Sequence, residues 1–562
     1  MRLRSLAIRH FRGVAEAKLE LDPAITLVVG ENDFGKTSLL EALFMALGGG
    51  EPEQPIVFGP PHLFHVGRTS GSPIAGPPSI ELVLEEREAG EEDEASPLSS
   101  VLAPPRERAR AVRLVVEGRV EGEAITTTFS IAGLEGGRER IDDVALLAAV
   151  RRMHPLLWLR GGMLVGSDLL AGPSTAGGAS AHTVLAPEVE ALARDLVGRY
   201  ERVVTGQSLH TARDVSTGAA AAESLLKLRE ETEDTSAMKE GPVFAEIVGR
   251  RTLPSRQAVQ RRRSRLGSAA QRIGVLMLVA AVMRSGRGAF AAGADPIVAI
   301  EDPEAHLHPM TLATIWDLLQ QIGWQKIVTT HSGALLSSAP LASLRRLVRS
   351  SDGALAVRSV RPDQLGRDVL RKFSYHVRLR RGAAMFARAW LLVEGETEFW
   401  VLSEIARLVG FDLQQEGVAV VEFAQSGLAP LVKVADALGI GWHLLADGDR
   451  AGVTYANKAR ALVGDRDPDA HVTRLAERDL EHCFFDHGHR AVFLEHAGLT
   501  PEQARALTTT RVIQKAIRAS SKPGLAFALL EAAGSPSGPG IPRPLRQVIE
   551  RVLALAWHTP TS

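Results

Sequence analysis

The chain has 562 residues, with 65 Lys and Arg against 66 Asp and Glu and a formal net charge of −1, so it exceeds one hydrophobic core and is not a uniformly basic nucleic-acid coat protein. A single cysteine, Cys483, excludes a disulfide framework and any multi-cysteine zinc module and fits a reducing compartment. The longest apolar run, Ile273 to Met283, is too short to span a bilayer, and the N-terminus lacks the apolar core of a signal peptide, so a cytoplasmic protein with no membrane partner is expected.

The opening MRLRSLAIRHFRG alternates like an edge strand, and residues 2 to 29 read as two strands around a turn at Arg12-Gly13. Ile25, Leu27, Val28 and Val29 make a buried strand that leads into Gly30-Glu31-Asn32-Asp33-Phe34-Gly35-Lys36-Thr37, a fit to G-x-x-x-x-G-K-[ST]. Ser38 to Leu43 then continue as a helix with an apolar stripe. Glycines let backbone N–H groups turn inward around a phosphate, and the helix N-terminus adds positive potential. Lys36 would bridge the terminal phosphates and Thr37 would hold Mg²⁺, which makes Gly30, Asn32, Gly35, Lys36, Thr37 and Ser38 the nucleotide-binding candidates. The Lys36 side chain is expected to be exposed when no nucleotide is bound.

Strand patterns follow at Ser79 to Leu84 and Val112 to Glu117, and the acidic run Glu85 to Glu94 between them reads as a solvated hairpin tip. From Asp142 the pattern turns helical, and His154 to Leu159 reads as a buried strand. A Gly/Ser/Ala-rich linker at 171–181 precedes helical patterns at 187–205 and 219–235, which read as an insertion. The cluster Arg250, Arg251, Arg256, Arg261, Arg262, Arg263 and Arg265 is either a solvated helix face or a track for a phosphate backbone.

Pro296 to Ile300 is a buried strand ending in Glu301-Asp302-Pro303-Glu304, and Lys326 to Thr330 is another ending at His331. Carboxylates at the C-terminal ends of strands face the ligand edge of an α/β sheet, where one acid can hold Mg²⁺ and its neighbour orient the attacking water. A lone histidine is usually structural, but the place of His331 on the same edge favours γ-phosphate sensing. Residues 340 to 385 read as a connecting region with basic residues at Arg371-Lys372 and Arg378 to Arg381.

A new α/β pattern then begins. Trp390 to Val393 ends in Glu394-Gly395-Glu396-Thr397-Glu398, Val418 to Val421 is followed by Ser426-Gly427, and Trp442 to Ala446 ends in Asp447-Gly448-Asp449. Acids at i and i+2 in a strand-end loop can point the same way, and a parallel neighbour brings Glu394 beside them. Carboxylates without Cys or His favour a hard cation such as Mg²⁺ or Mn²⁺. A further acidic stretch runs from Glu477 to Glu481, and the rest reads as helices, with a capping box at Thr500-Pro501-Glu502-Gln503. Lys522, before the apolar helix Leu525 to Ala533, reads on its own as a surface lysine.

The first set of motifs resembles the ABC-type ATPase heads of the SMC and RecF-like group. Gly30 to Thr37 is similar to Walker A, Ser268-Ala269-Ala270-Gln271 to a degenerate signature motif, Ile297 to Asp302 to Walker B, and His331 to the switch histidine. The resemblance implies ATP enclosed between two subunits, hence a homodimer in which Ser268 and Gln271 serve the partner's nucleotide. It also implies Glu301 and Thr37 on Mg²⁺, with Asp302 and His331 catalytic. The acids run Glu-Asp where the group usually has Asp-Glu, and no Q-loop can be placed, Gln54 being the only glutamine between the P-loop and residue 200; slow turnover follows.

Glu-Gly-x-x-Glu, Gly427 and Asp-x-Asp resemble the Toprim domain, and a head followed by Toprim resembles the OLD (overcoming lysogenization defect) nuclease family. That resemblance implies an ATP-regulated DNA endonuclease with two metals on Glu394, Glu398, Asp447, Asp449 and Glu481, Lys522 at the scissile phosphate, and a part in phage defence. The implied architecture is α/β: an ABC-type ATPase head (1–160 and 241–375) interrupted by a helical dimerisation insertion (161–240), a Rossmann-like Toprim domain (386–485) and a small helical C-terminal region (486–562) completing the nuclease part. The alternative is a non-catalytic SMC/RecF-like DNA-repair ATPase whose Toprim domain only binds nucleic acid. A topoisomerase would need a nucleophilic tyrosine, and Tyr200, Tyr375 and Tyr455 lie in no recognisable cleavage module.

Overall fold

A computed structural model describes residues 1–165, 293–366 and 382–557, less several short internal stretches, of which 49–56, 65–75 and 306–311 are the longest. Asp33, Gln54, the linker and helical insertion, the Arg-rich cluster, the run Ile273 to Met283, Ser268, Gln271, Tyr200, Tyr375 and the basic stretch at 371–381 lie outside the described residues. The chain divides into two compact units, the first dominated by Met1–Ala339 and the second by Arg358–Ser562.

The first unit holds two sheets. Strands β1 (Arg2–Phe11), β2 (Val14–Glu20), β4 (Ser79–Glu85), β5 (Ala111–Glu121), β6 (Ala124–Gly133) and β7 (Glu139–Ile141) form an antiparallel sheet in the order β2-β1-β4-β5-β6-β7. The opening strand is therefore interior, not an edge. Its alternation reports one wet face: Leu3, Leu6, Ile8 and Phe11 are fully buried, while Arg2 and Arg4 each reach Glu85 at 3.3 Å and Arg9 reaches Glu16 at 3.1 Å on neighbouring strands.

The second sheet has the order β13-β12-β3-β11-β10-β8-β9, from β3 (Ile25–Val29), β8 (Leu156–Arg160), β9 (Met163–Val165), β10 (Ile297–Glu301), β11 (Gln325–Thr329), β12 (Leu344–Arg349) and β13 (Leu355–Ser359). Strands β12, β3, β11, β10 and β8 run parallel, and β9 is antiparallel to β8. Every residue of β3 and β11 is buried, as expected of strands covered on both faces. Residues 344–359, read from sequence as part of a connector, instead supply two strands. The three arginines of LRRLVR hid the first of them, although Leu344, Leu347 and Val348 are buried and Arg346 is buried with them.

Helix α1 (Lys36–Leu47) packs against β1 and β4 of one sheet and β8 and β10 of the other, so it is apolar nearly all round. Its last carbonyls are capped from outside. The buried Arg151, on α2 (Val144–Met153), donates to the carbonyls of Met45 and Ala46 at 3.1 Å each. Gln325 ties the sheets together through the N–H and C=O of Leu3, at 2.9 and 2.7 Å.

The acidic run after β4 is not simply solvated. Glu86 is fully buried, takes hydrogen bonds from the Arg110 guanidinium and from the amides of Arg110 and Glu92, and Glu91 holds the N-terminal ammonium at 2.9 Å. Burial alone would raise the Glu86 carboxyl, but Arg110 and the two amides bring it down to about 2.

In the second unit, β14 (Ala389–Val393), β15 (Val418–Glu422), β16 (Gly441–Ala446) and β17 (Val472–Arg474) form a parallel sheet in the order β15-β14-β16-β17. Helices α4 (Glu396–Leu408), α5 (Leu428–Leu438) and α6 (Arg450–Val463) make its crossovers, α3 (Gly333–Ser338) belonging to the first unit. Helices α7 (Leu480–Phe484), α8 (Arg490–His496), α9 (Pro501–Arg505), α10 (Thr509–Ser520), α11 (Lys522–Gly534) and α12 (Arg543–Trp557) follow. Helix α12 lays Leu545, Val548, Ile549, Val552 and Leu553 into the core beneath β14 and β16. The capping box at Thr500 forms, with Pro501 at the first helical position.

Candidate functional site

Two strand-end clusters, one in each unit, collect the chemistry. In the first unit β11 lies between β3 and β10, so the P-loop, Glu301-Asp302 and His331 meet at one C-terminal edge. The loop has no room for side chains at its two glycines: a Cβ on Gly30 would stand 3.0 Å from Leu347 Cβ, and Gly35, at φ +84°, would put one 2.5 Å from Val14 Cγ2. Thr37 Oγ1 donates to Glu301 Oε1 at 2.6 Å, the pairing a shared Mg²⁺ would need. The parallel register sets Arg160 opposite Glu301, and Arg160 Nε reaches Glu301 Oε2 at 3.0 Å.

Lys36 departs from expectation. It is only 8% exposed, because its ammonium turns back onto the carbonyls of Gly30 and Glu31, both at 2.8 Å. The loop's own oxygens satisfy the charge, which exposure reasoning from sequence left out. Ser38 is buried and Asn32 exposed. Asp302 stands in the left-handed region at φ +44°, where aspartate is among the residues tolerated. Burial and then the Glu304 carboxylate push its carboxyl up, against the pull of His331 and Lys36; His331 Nε2 lies 3.9 Å from Asp302 Oδ1. Glu304, a residue the sequence reading passed over, accepts from Thr330 Oγ1 at 2.9 Å and from the His331 amide at 2.5 Å, so it fixes the loop that presents His331.

In the second unit Glu394 follows β14, Asp447 follows β16, and Asp449 caps α6 by accepting from the Gly452 amide at 2.8 Å. Glu398 turns back to the Gly395 amide at 3.0 Å. The turn between the aspartates requires glycine: a Cβ on Gly448 would lie 2.2 Å from the Glu477 carbonyl oxygen, and one on Gly452 would lie 2.0 Å from that of Asp447. Burial first, then Glu398, Asp479, Glu394 and Asp449, push the Asp447 carboxyl up to about 7. Glu394 is raised by burial, Asp449 and Glu398. Such mutual repulsion is of the kind a bound hard divalent cation would neutralise.

Lys522, the first residue of α11, is no isolated surface lysine: Nζ lies 3.2 Å from Glu481 Oε1. Burial opposes its charge, but Glu481, Glu398 and Asp479 outweigh that and raise it. The structure thus brings together Glu394, Glu398, Asp447, Asp449, Glu481 and Lys522, and adds Asp479. Asp479 shares its acidic stretch with Glu481, and nothing local in the sequence singles it out; it caps α7 and accepts from His482 Nδ1 at 2.6 Å, and His482 Nε2 in turn lies 3.1 Å from Thr510 Oγ1. Tyr455 packs edge-on against Phe423, a structural contact.

The family model described as "Protein of unknown function (DUF2813)" matches residues 1–384, and that described as "Overcoming lysogenization defect protein-like, TOPRIM domain" matches residues 385–449. The uncharacterized protein YbjD of Escherichia coli (strain K12) is 32% identical over 577 residues, covering 99% of each chain. The chain belongs to this DUF2813 family. It carries a Toprim domain of the overcoming-lysogenization-defect type after the P-loop unit, in the order the motifs implied. The Old nuclease of Escherichia phage P2 is 27% identical over 161 residues, 27% of this chain and 28% of that protein. The C-terminal region of the Burkholderia pseudomallei OLD protein matches 30% of this chain and 99% of its own at 19% identity, with a TM-score of 0.26 that adds nothing to the fold assignment. No helix among the described residues is long and apolar enough to cross a membrane.

Proposed function

We propose that this DUF2813 protein is a divalent-metal-dependent DNA endonuclease governed by an ATP-hydrolysing head. One observation carries the reading: Glu394, Glu398, Asp449 and Asp479 all bear electrostatically on Asp447 at the C-terminal edge of the parallel sheet, with the Lys522 ammonium beside Glu481 at their rim. Similarity to the Old nuclease over part of the chain supports it.

Glu394, Glu398, Asp447, Asp449 and Glu481, with Asp479 as a further donor, would hold Mg²⁺ or Mn²⁺, which when bound supplies an activated water and charge stabilisation for phosphodiester hydrolysis. Gly448 keeps the two aspartates on one tight turn, so both carboxylates are aimed before substrate arrives. Lys522, kept protonated by its acidic neighbours, would face the scissile phosphate as a point charge. In the head, the P-loop amides and Lys36 would bind the phosphates of ATP, Thr37 and Glu301 would hold Mg²⁺, Asp302 would orient the attacking water, and His331 would sense the γ-phosphate. Closing such a head over nucleotide calls for a second copy, so the working form is a homodimer acting on DNA, with phage defence as its setting.

The test compares Asp449→Ala and Lys522→Ala with the natural chain for Mg²⁺- and Mn²⁺-dependent nicking of supercoiled DNA, metal affinity and ATP hydrolysis. Asp449→Ala should abolish nicking while ATP hydrolysis persists, and Lys522→Ala should slow nicking without weakening metal binding. Full nicking by Asp449→Ala would remove the nuclease reading, leaving the head as an ATPase whose Toprim domain only binds nucleic acid.

A further inference from the structure

We infer that Glu477, Cys483 and His487 form a separate site for a borderline-soft cation, Zn²⁺ by its chemistry, behind the carboxylate cluster. The three donors come from different backbone contexts. Glu477 lies in the turn after β17, Cys483 on α7, and His487 in the π-helical segment Phe485–His489, where His487 and Gly488 leave helical dihedrals. Cys483 and His487 are four residues apart, and the turn out of α7 carries the imidazole back to the thiol.

The distances fit a tetrahedral ion. His487 Nδ1 lies 3.8 Å from Cys483 Sγ and 3.7 Å from Glu477 Oε1, and all three donor atoms fall within 4.8 Å of one another. Zinc bonds of usual length at tetrahedral angles put sulfur and nitrogen about 3.6 Å apart and nitrogen and oxygen about 3.4 Å apart. For the two pairs that include His487, closing onto an ion therefore takes shifts of a few tenths of an ångström. The His487 ring must also release the Cys483 carbonyl, which its Nδ1 meets at 2.8 Å. Cys483 is fully buried, whereas the His487 side chain is 31% exposed, so an ion enters from the imidazole side with water as its fourth ligand.

A thiolate, an imidazole and a carboxylate select against Mg²⁺, which separates this site from the all-oxygen cluster. Its position gives it a structural role. The Glu477 carbonyl accepts from the Gly448 amide at 3.0 Å, so an ion on the Glu477 side chain braces the turn between Asp447 and Asp449 from behind.

Cobalt gives the test, because Cys483 is the chain's single cysteine and any thiolate-to-cobalt charge-transfer band must come from it. The full chain, stripped with chelator, is titrated with Co²⁺ and followed in the near-ultraviolet and visible. We expect a saturable charge-transfer band with tetrahedral ligand-field bands, bleached by Zn²⁺ and untouched by excess Mg²⁺. The band should vanish in Cys483→Ser, should persist in Asp449→Asn, and in His487→Ala should need more Co²⁺ by at least the 10- to 100-fold, roughly, that losing a supporting residue costs. Circular dichroism checks each fold. Should Cys483→Ser not fold, the part-exposed His487→Ala carries the comparison. No charge-transfer band in the natural chain, or unchanged Co²⁺ affinity in folded His487→Ala, overturns the site.

Discussion

Asp447→Asn should make the metal-free protein more stable at alkaline pH. Asp447 is faced by Glu398, Asp479, Glu394 and Asp449, and its carboxyl is held at about 7 against an ordinary 3.8. That displacement corresponds to about 4 kcal/mol against the charged form. Part of the side chain meets solvent, so screening reduces the figure to about 2 kcal/mol. An acid whose folded pKa is raised binds its proton more tightly folded than unfolded, so stability falls as pH rises from about 3.8 to about 7 and the penalty is complete above that window. The asparagine variant, which cannot ionise, should gain about 2 kcal/mol at pH 8 in chelator and nearly nothing at the acidic end of the window. Urea unfolding of both proteins at the two pH values, with and without Mg²⁺, measures this. Mg²⁺ should stabilise the natural chain more than the variant. An equal or lower stability of the variant at pH 8, or the same gain at both pH values, would refute the electrostatic account of the cluster.

Lys36→Ala should abolish ATP hydrolysis in a folded protein, at a stability cost of about 1.5–3 kcal/mol for leaving the carbonyls of Gly30 and Glu31 without their charged donor; retained hydrolysis would sink the head assignment. Arg110→Ala should cost about 3–5 kcal/mol at neutral pH by stranding the buried Glu86 carboxylate, and adding Glu86→Gln should recover part of it, as thermal melts would show. Because Glu86 sits at about 2 rather than 4.5, the stability that this pair supplies is present above pH 4.5 and lost as pH falls through about 2, and the gap between the natural chain and Glu86→Gln should close in that window.

What could be read from the chain follows from how local the signals are. The P-loop is legible because its glycines, lysine and helix are consecutive, and Glu394, Asp447 and Asp449 because each ends a short apolar run whose parallel neighbours bring the ends together. Signals that depend on register or on distant partners were not. Glu86 looks solvated until Arg110, on another strand's approach, is seen beside it. Arg160 meets Glu301 only through strand pairing, Asp479 is hidden among other acids, and Lys522 acquires its acidic neighbours only when α11 folds back. The opening strand imitates an edge because alternation records which face is wet and says nothing of how many neighbours a strand has.

Helix α12 has a consequence for how the protein is made. The apolar residues of β14 and β16 emerge from the ribosome well before the helix that buries them, and synthesis is slow beside local folding. Until α12 arrives, the strands that carry Glu394 and Asp447 lack part of their core. The acids are therefore aimed late, after the nucleotide edge of the other unit has been translated, so a nascent chain presents its P-loop before it presents a completed carboxylate cluster.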